Sequence, residues 1–286
     1  MNPRKKYQWK CGDRSVLLGE KTLVMGILNT TPDSFSDGGS YYDTDKAVER
    51  AIEMVEQGAD IIDIGGESTR PGADSVSVAE ELRRTVPVIE KVRERSDTLI
   101  SIDTMKSEVA KEALEAGADI INDVSAFEAD ERMVELAAST HAGVVLMHMK
   151  GTPKSMQDNP VYGNVAEEVI GYLKSRADFS VQHGVERDHL VIDPGIGFGK
   201  TLEHNLELLQ EIPKLAEAGF PVLVGASRKS LIGHLLARTD PTQRLSGSLG
   251  IAAWSIMNGA HILRVHDVFE TCDVCRIVDT LLIGEP

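Results

Sequence analysis

Short apolar runs recur along the chain, each preceded by a glycine and closed by a polar side chain. Gly58 precedes Asp60-Ile61-Ile62-Asp63-Ile64-Gly65, Gly117 precedes Asp119-Ile120-Ile121-Asn122-Asp123, and Gly143 precedes Val144-Val145-Leu146-Met147-His148. The same order returns with Gly184 upstream of Leu190-Val191-Ile192-Asp193, Gly219 before Pro221-Val222-Leu223-Val224-Gly225, and Gly259 before His261-Ile262-Leu263-Arg264-Val265-His266. Glycine ends a helix because it enters left-handed backbone at little cost. An unbroken apolar run after it reads as a strand covered on both faces, the habit of parallel sheets. Thr22–Asn29 and Leu99–Asp103 bring the count to eight strands, each followed by helical sequence. That order predicts an α/β fold, a single (β/α)8 barrel, with its chemistry at the C-terminal strand ends.

Helical signals fill the intervals. Ser77 with Glu80 three positions on predicts a capping box, followed by a stripe of Val78, Leu82, Val86, Ile89 and Val92. Thr44 precedes a second stripe of Ala47, Val48, Ala51, Ile52 and Val55. Trp254 and Met257, at i and i+3, are expected on a core-facing helix, and Cys272 and Cys275 on an amphipathic one. Residues 7–19 predict a small hairpin around Gly12-Asp13, placed within residues 1–20 as a cap on the barrel bottom. Two connections exceed what a barrel needs, Thr30–Tyr42 and Met149–Gly163. Both follow strand C-termini, so both overhang the expected site.

The length of 286 residues suits one barrel domain over 1–286. At 42% apolar and 26% charged the composition is that of a globular protein, and no apolar run approaches membrane-spanning length. A net charge of −15 argues against a nucleic-acid partner. Three cysteines argue against a disulfide framework, and the basic start at Arg4-Lys5-Lys6 does not lead into an apolar signal core, so a cytoplasmic location is expected.

The residues at or just past the strand ends are Asn29, Thr69 with Arg70, Asp103, Asn122, Met147, Asp193, Lys229, and Arg264 with His266. Any one alone reads as an ordinary solvated loop residue; eight strands feeding one rim with polar or ligand-sized groups read as a site. Asp103, Asn122 and Asp193 offer acceptors, while Lys229, Arg264, His266 and Arg70 offer donors in an acidic protein. A ligand with a donor-rich heterocyclic end and an anionic end matches both sets, since a carboxylate reads an N–H/NH2 edge by paired bonds and arginine suits phosphate. Gly195-Ile196-Gly197-Phe198-Gly199-Lys200-Thr201 looks like a phosphate-binding loop, but Pro194 stands where its first glycine belongs. Flexible backbone behind Asp193 is the better reading. Cys272 and Cys275 have metal-like spacing but no second ligand pair, which favours helix packing.

With these residues assembled, the chain resembles the dihydropteroate synthases, a pterin-binding family, nearly end to end. The segments carrying the resemblance are Gly26 to Gly39, with Asn29, Asp33, Ser34 and Phe35; Gly58 to Pro71; Asp193 to Lys200; Ser227-Arg228-Lys229-Ser230; and Arg264 to Val268. Thr30 departs from the pattern, standing where an aliphatic residue is expected. The resemblance implies condensation of 6-hydroxymethyl-7,8-dihydropterin diphosphate with 4-aminobenzoate. It implies that Asp103, Asn122 and Asp193 hold the pterin edge, that Lys229 reaches its carbonyl and ring nitrogen, and that Met147, Phe198 and Arg264 cover its faces. Asn29 is implied as the ligand of Mg2+, and Thr69, Arg264 and His266 as receivers of the phosphoryl oxygens. Asp33, Phe35, Arg70, Pro71 and Ser230 are implied to close over the aminobenzoate. A homodimer through helices near the C-terminus is implied as well. A pterin-binding methyltransferase barrel and a non-catalytic pterin carrier are the competing readings.

Overall fold

The apolar runs pair side by side into one sheet of eight parallel strands. A computed structural model describes residues 4–31, 40–69, 72–152 and 154–284. A hairpin comes first, β1 (Tyr7–Cys11) and β2 (Arg14–Leu18), joined through Gly12 at φ 60. The sheet follows as β3 (Leu23–Asn29), β4 (Ile61–Gly65), β5 (Leu99–Asp103), β6 (Ile120–Asp123), β7 (Gly143–Met147), β8 (Leu190–Asp193), β9 (Leu223–Val224) and β10 (Ile262–Val265). Between strands run α1 (Ser40–Glu56), α2 (Val78–Arg95), α3 (Ser107–Glu115), α4 (Arg132–Thr140), α5 (Val165–Gln182), α6 (Leu202–Gln210), α7 (Ile212–Ala216), α8 (Ser230–Leu236) and α9 (Leu245–Met257), and α10 (Val268–Ile283) closes the chain. The strand order is β8-β7-β6-β5-β4-β3-β10-β9, and a parallel bridge from Ile192 to Val222 joins the two ends into a barrel. No helix among the described residues is long and apolar enough to cross a membrane.

Alternation along the strands explains why the runs look uniformly apolar. One set of side chains, including Ile62, Ile64, Ile100, Ile102, Ile121, Val144, Leu146 and Ile192, packs outward against the helices. The alternate set fills the lumen, and its lower half is apolar: Leu23, Met25, Ile61, Leu99, Ile120, Val145, Val191, Leu223 and Ile262 form one buried cluster. Trp9, Cys11 and Leu18 of the hairpin complete that cluster, so β1 and β2 plug the barrel from below. The Trp9 indole donates to His189 O at 2.9 Å, and Gly12 N donates to His141 O at 2.7 Å. A Cβ on Gly143 would lie 2.6 Å from Cys11 Sγ, so the strand passes too close to the plug for any side chain there. Two residues further up β4, β5, β6, β8 and β10 the lumen positions turn polar, at Asp63, Ser101, Asn122, Asp193 and Arg264.

Several local expectations need correction. Ser77 caps α2 by accepting from Glu80 N, but the Glu80 carboxylate turns to Arg83 and Arg84, so the reciprocal half of the box is missing. The buried stripe of α2 runs through Glu81, Thr85, Val88, Ile89 and Val92, which carries a carboxylate to the barrel side. The helix expected after Thr44 begins at Ser40. Trp254 and Met257 are not core residues: they are 46% and 49% exposed, the indole being tied to Leu209 O at 2.8 Å. Cys272 and Cys275 are buried free thiols in α10, as helix packing requires.

Trp9→Ala is expected to lower stability by about 3–5 kcal/mol, the usual cost of truncating a buried aromatic. Chemical denaturation followed by circular dichroism measures it, and a loss below about 1 kcal/mol would mean that the hairpin is not the barrel's plug.

Candidate active site

The upper lumen is organised around one cation. Arg264, on β10, sends Nε to Asp63 Oδ2 at 2.6 Å and Nη2 to Asp103 Oδ2 at 2.6 Å. Asn122 Nδ2 donates to the same Asp63 oxygen at 3.1 Å. Register delivers these partners: Asp103 stands beside Gly65 on β4 and Asn122 on β6. Burial opposes the charge of Arg264, yet the carboxylates of Asp63 and Asp103 outweigh it and hold the guanidinium above its ordinary value. Two carboxylates share one cation. Burial pushes Asp103 up to about 7 against the pull of Arg264, with Asp63, Glu81 and Asp123 adding to the rise. The remaining oxygens, Asp63 Oδ1 and Asp103 Oδ1, are buried without a hydrogen-bond partner.

Asp193 ends β8 beside Met147 in register, and its Oδ1 accepts from Gly195 N at 2.7 Å. Burial raises its pKa, with Lys229 as the main opposing influence. Lys229 sits at the N-cap of α8, its ammonium hydrogen-bonded to Ile196 O and 4.4 Å from the centre of the Phe198 ring. Burial lowers it to about 8 despite Asp193. The segment between them bends through Gly195, Gly197 and Gly199, all at positive φ, and a Cβ on Gly195 would collide with His148 O. Lys200 locks that bend from inside: its ammonium bonds His148 Nδ1 at 2.9 Å, Gly195 O at 2.9 Å and Phe198 O at 2.9 Å. His148 therefore spends its ring nitrogen on structure, and burial beside Lys200 lowers it to about 3, which removes it as a base near neutrality.

His266 faces Ser227, its Nδ1 3.0 Å from the hydroxyl. Asn29 ends β3 in register with Gly65, beside which the Asp103 side chain packs, 3.5 Å from where a Cβ would stand. Thr69 lines a small cavity with Asp103, Thr104, Met105 and Lys106, and Ser230 is exposed at the start of α8. The barrel thus gathers Asn29, Thr69, Asp103, Asn122, Met147, Asp193, Phe198, Lys229, Ser230, Arg264 and His266 at its C-terminal face. Asp33, Phe35, Arg70 and Pro71 lie outside the described residues.

Comparison with known proteins meets this geometry from a separate direction. A family model for pterin binding enzymes matches residues 25–266. The chain belongs to the pterin-binding enzymes, and among them to the dihydropteroate synthases. It is 49% identical over 259 residues to the dihydropteroate synthase of Escherichia coli, covering 91% of each chain, and 47% identical over 263 residues to that of Synechocystis, covering 92% and 91%. Its fold is similar to the Xanthomonas albilineans dihydropteroate synthase solved with 4-aminobenzoic acid, at a TM-score of 0.91 and 43% identity over 97% of this chain and 98% of that one. The structure of that enzyme with 7,8-dihydropteroate is similar at a TM-score of 0.86 and 40% identity over 96% and 98%. Members of this family are transferases.

Two residues of this family member escape a reading of strand ends. Asp63 lies in mid-strand, fully buried, and its signal is a charge inside the otherwise apolar Ile61-Ile62-Asp63-Ile64. Lys200, 3% exposed, is masked by the glycine pattern that precedes it.

The raised value of Asp103 has a signed consequence. The folded protein keeps this proton where the unfolded chain, at 3.8, has released it. Its stabilising contribution is complete below about pH 4 and is lost as pH rises through about 7. Relative to Asp103→Asn, the wild type is expected to lose stability steadily across that window. Denaturation midpoints of both proteins at stepped pH measure this, and a pH-independent difference would overturn it.

Proposed function

We propose that this chain joins 6-hydroxymethyl-7,8-dihydropterin diphosphate to 4-aminobenzoate, yielding 7,8-dihydropteroate and pyrophosphate. The observation that carries the reading is the meeting, in one barrel mouth, of buried acceptors at Asp103, Asn122 and Asp193 with cations at Lys229 and Arg264. A flat bicycle rich in N–H groups suits the first set and a diphosphate the second.

In this reading the pterin edge donates to Asp193 and to the unpartnered oxygen of Asp103, with Asn122 beside them. Lys229 addresses the carbonyl and ring nitrogen, and Met147 and Phe198 pack against the ring faces. Arg264 uses two of its five N–H donors on Asp63 and Asp103, which leaves donors for the ring or the anionic tail. Thr69 and His266 receive phosphoryl oxygens. Asp33, Phe35, Arg70, Pro71 and Ser230 contact the aminobenzoate.

Asn29 fits a Mg2+ site, because its amide oxygen is a hard donor on a half-buried residue at the end of β3 and Mg2+ commonly takes few protein ligands beside phosphate and water. Bound there, the ion would neutralise charge on the departing diphosphate. The chain's own residues do the rest. Cleavage of the carbon–oxygen bond leaves positive charge on the pterin methylene, and the carboxylates of Asp103 and Asp193 stabilise the electron-rich ring that carries it. An arylamine is a weak nucleophile, so cleavage ahead of attack, an SN1-like course, suits this arrangement better than direct displacement.

The proposal includes a homodimer and a cytoplasmic setting. Helices α9 and α10 leave Trp254, Met257, Phe269, Ile277 and Leu281 exposed, an apolar surface of the kind that subunits cover. Three free, buried thiols suit a reducing compartment.

Incubation with the pterin diphosphate, 4-aminobenzoate and Mg2+ tests the reaction: pyrophosphate release with dihydropteroate formation is expected. Binding without release would leave a pterin carrier, and indifference to the diphosphate would favour a methyltransferase barrel. Asp193→Asn is expected to weaken binding of the pterin diphosphate by about 2–4 kcal/mol, in the range for breaking a buried charged pair. Calorimetry reads this, and unchanged affinity would remove Asp193 from the pterin edge.

A further inference from the structure

At the other end of the barrel, three metal-type ligands converge that the reaction does not use. His141 follows α4 and leads into β7, while Glu186 and His189 lie at the turn that enters β8. One ring nitrogen of each histidine and one oxygen of Glu186 lie within 4.8 Å of one another. The backbone around them is fixed by the hairpin plug, since His141 O accepts from Gly12 N and His189 O accepts from the Trp9 indole. His189 is 3% exposed, and its Nδ1 lies 3.2 Å from Ala142 O. A carbonyl only accepts, so Nδ1 carries the proton and Nε2 keeps its lone pair for a metal. Imidazole ligands are commonly held in this way.

A separate observation marks the same place. Asp188 Oδ1 is buried with no hydrogen-bond partner and stands 3.9 Å from His189 Nε2. The Asp188 side chain is 39% exposed and its other oxygen pairs with Lys10, so this one covered oxygen is the atom a bound cation would satisfy. The Lys10 ammonium already reaches Glu186 at 3.2 Å and Asp188 at 2.8 Å, so the carboxylates attract a cation in the absence of metal.

We propose that His141, Glu186 and His189, with Asp188 as a further oxygen, bind one divalent transition-metal ion of the zinc type. Two imidazoles and a carboxylate suit Zn2+, Co2+ or Ni2+, whereas Mg2+ and Ca2+ take oxygen ligands. Tetrahedral coordination with bonds of roughly 2.0 Å places ligands about 3.3 Å apart. His141 and Glu186 are exposed, so their side chains have room to close that gap onto the buried His189 once Glu186 exchanges Lys10 for the ion. The ion would clamp the turn before β7 to the turn before β8, beside the hairpin that both turns bond. It is a different site from the Mg2+ position at the rim and does not rest on the proposed reaction.

Co2+ titrated into metal-stripped full-length protein, without substrates, tests this through its visible absorption. One ion per chain is expected, with ligand-field bands of a nitrogen–oxygen site and no thiolate charge transfer. His141→Gly suits the left-handed backbone there (φ 53) and is expected to weaken binding at least tenfold, as is His189→Gln. Lys10→Met removes the competing cation and is expected to tighten binding severalfold, an effect that general destabilisation would not produce. Zn2+ should raise the Tm of the wild type and not of His141→Gly. No binding at millimolar Co2+, affinity unchanged in His141→Gly, or thiolate bands would each overturn the proposal.

Discussion

A guanidinium held between two carboxylates inside a barrel is the constraint on which this structure turns. Each buried ion costs several kcal/mol in lost hydration, and only well-placed partners offset that cost. Arg264 finds them on two other strands, at Asp63 and Asp103, with Asn122 on a third closing the set. The apolar residues alone do not specify this alignment. Ile61, Ile62 and Ile64 would bury nearly as well after a shift of register, but a one-residue slip turns Asp63 outward into the helix layer and takes from Arg264 one of its two carboxylates. The charge cluster therefore selects, among many apolar packings, the one that also builds the mouth.

The same cluster explains why the mouth is ready for a ligand that carries its own donors. Asp63 Oδ1 and Asp103 Oδ1 are buried without a hydrogen-bond partner, as is Ser101 Oγ in register with Asp63. Water pays poorly in so confined a space, whereas a planar N–H edge arrives with its donors already aligned. Because the acceptors are fixed before binding, little reorganisation opposes the charge that develops during bond cleavage. Lys200 serves this preorganisation from behind: four acceptors around its buried ammonium hold the bend that carries Gly195 N to Asp193.

Much of this was legible in the sequence, for identifiable reasons. Parallel strands covered on both faces read as unbroken apolar runs, and glycine marks where each preceding helix stops, so the barrel and its eight strands could be read directly. Asp193 and Asn122 were visible because a polar side chain ended a run. Asp63 was not, because strand ends draw attention upward while the lumen turns polar in mid-strand; the alternation is hidden where both faces are apolar below it. Glu81 was hidden for a related reason. Of the expected stripe, Ile89 and Val92 are buried, but Val78, Leu82 and Val86 sit one position away from the buried face, which there runs through Glu81 and Thr85 and so includes a carboxylate. Trp254 misled in the opposite sense, because aromatic size suggests a core and only the packing of α9 shows its face to be outward.

Glu81 shows how the barrel passes order to its loops. Its residue is 1% exposed, and Lys106 bonds its Oε2 at 2.5 Å while also pairing with Glu67. Glu67 in turn accepts from Val76 N at 3.1 Å, and Arg84 donates to Gly66 O at 2.9 Å. A Cβ on Gly66 would come within 2.8 Å of Thr85 and 3.0 Å of Glu81, so strand and helix meet there at backbone distance. The segment after β4 is thus fastened at its root and at its return, and Thr69 is held next to Asp103 along one small cavity. Rigid charges below and a segment fastened at Gly66 and Glu67 above serve one end: the first aligns a ligand, and the second keeps Thr69 beside Asp103.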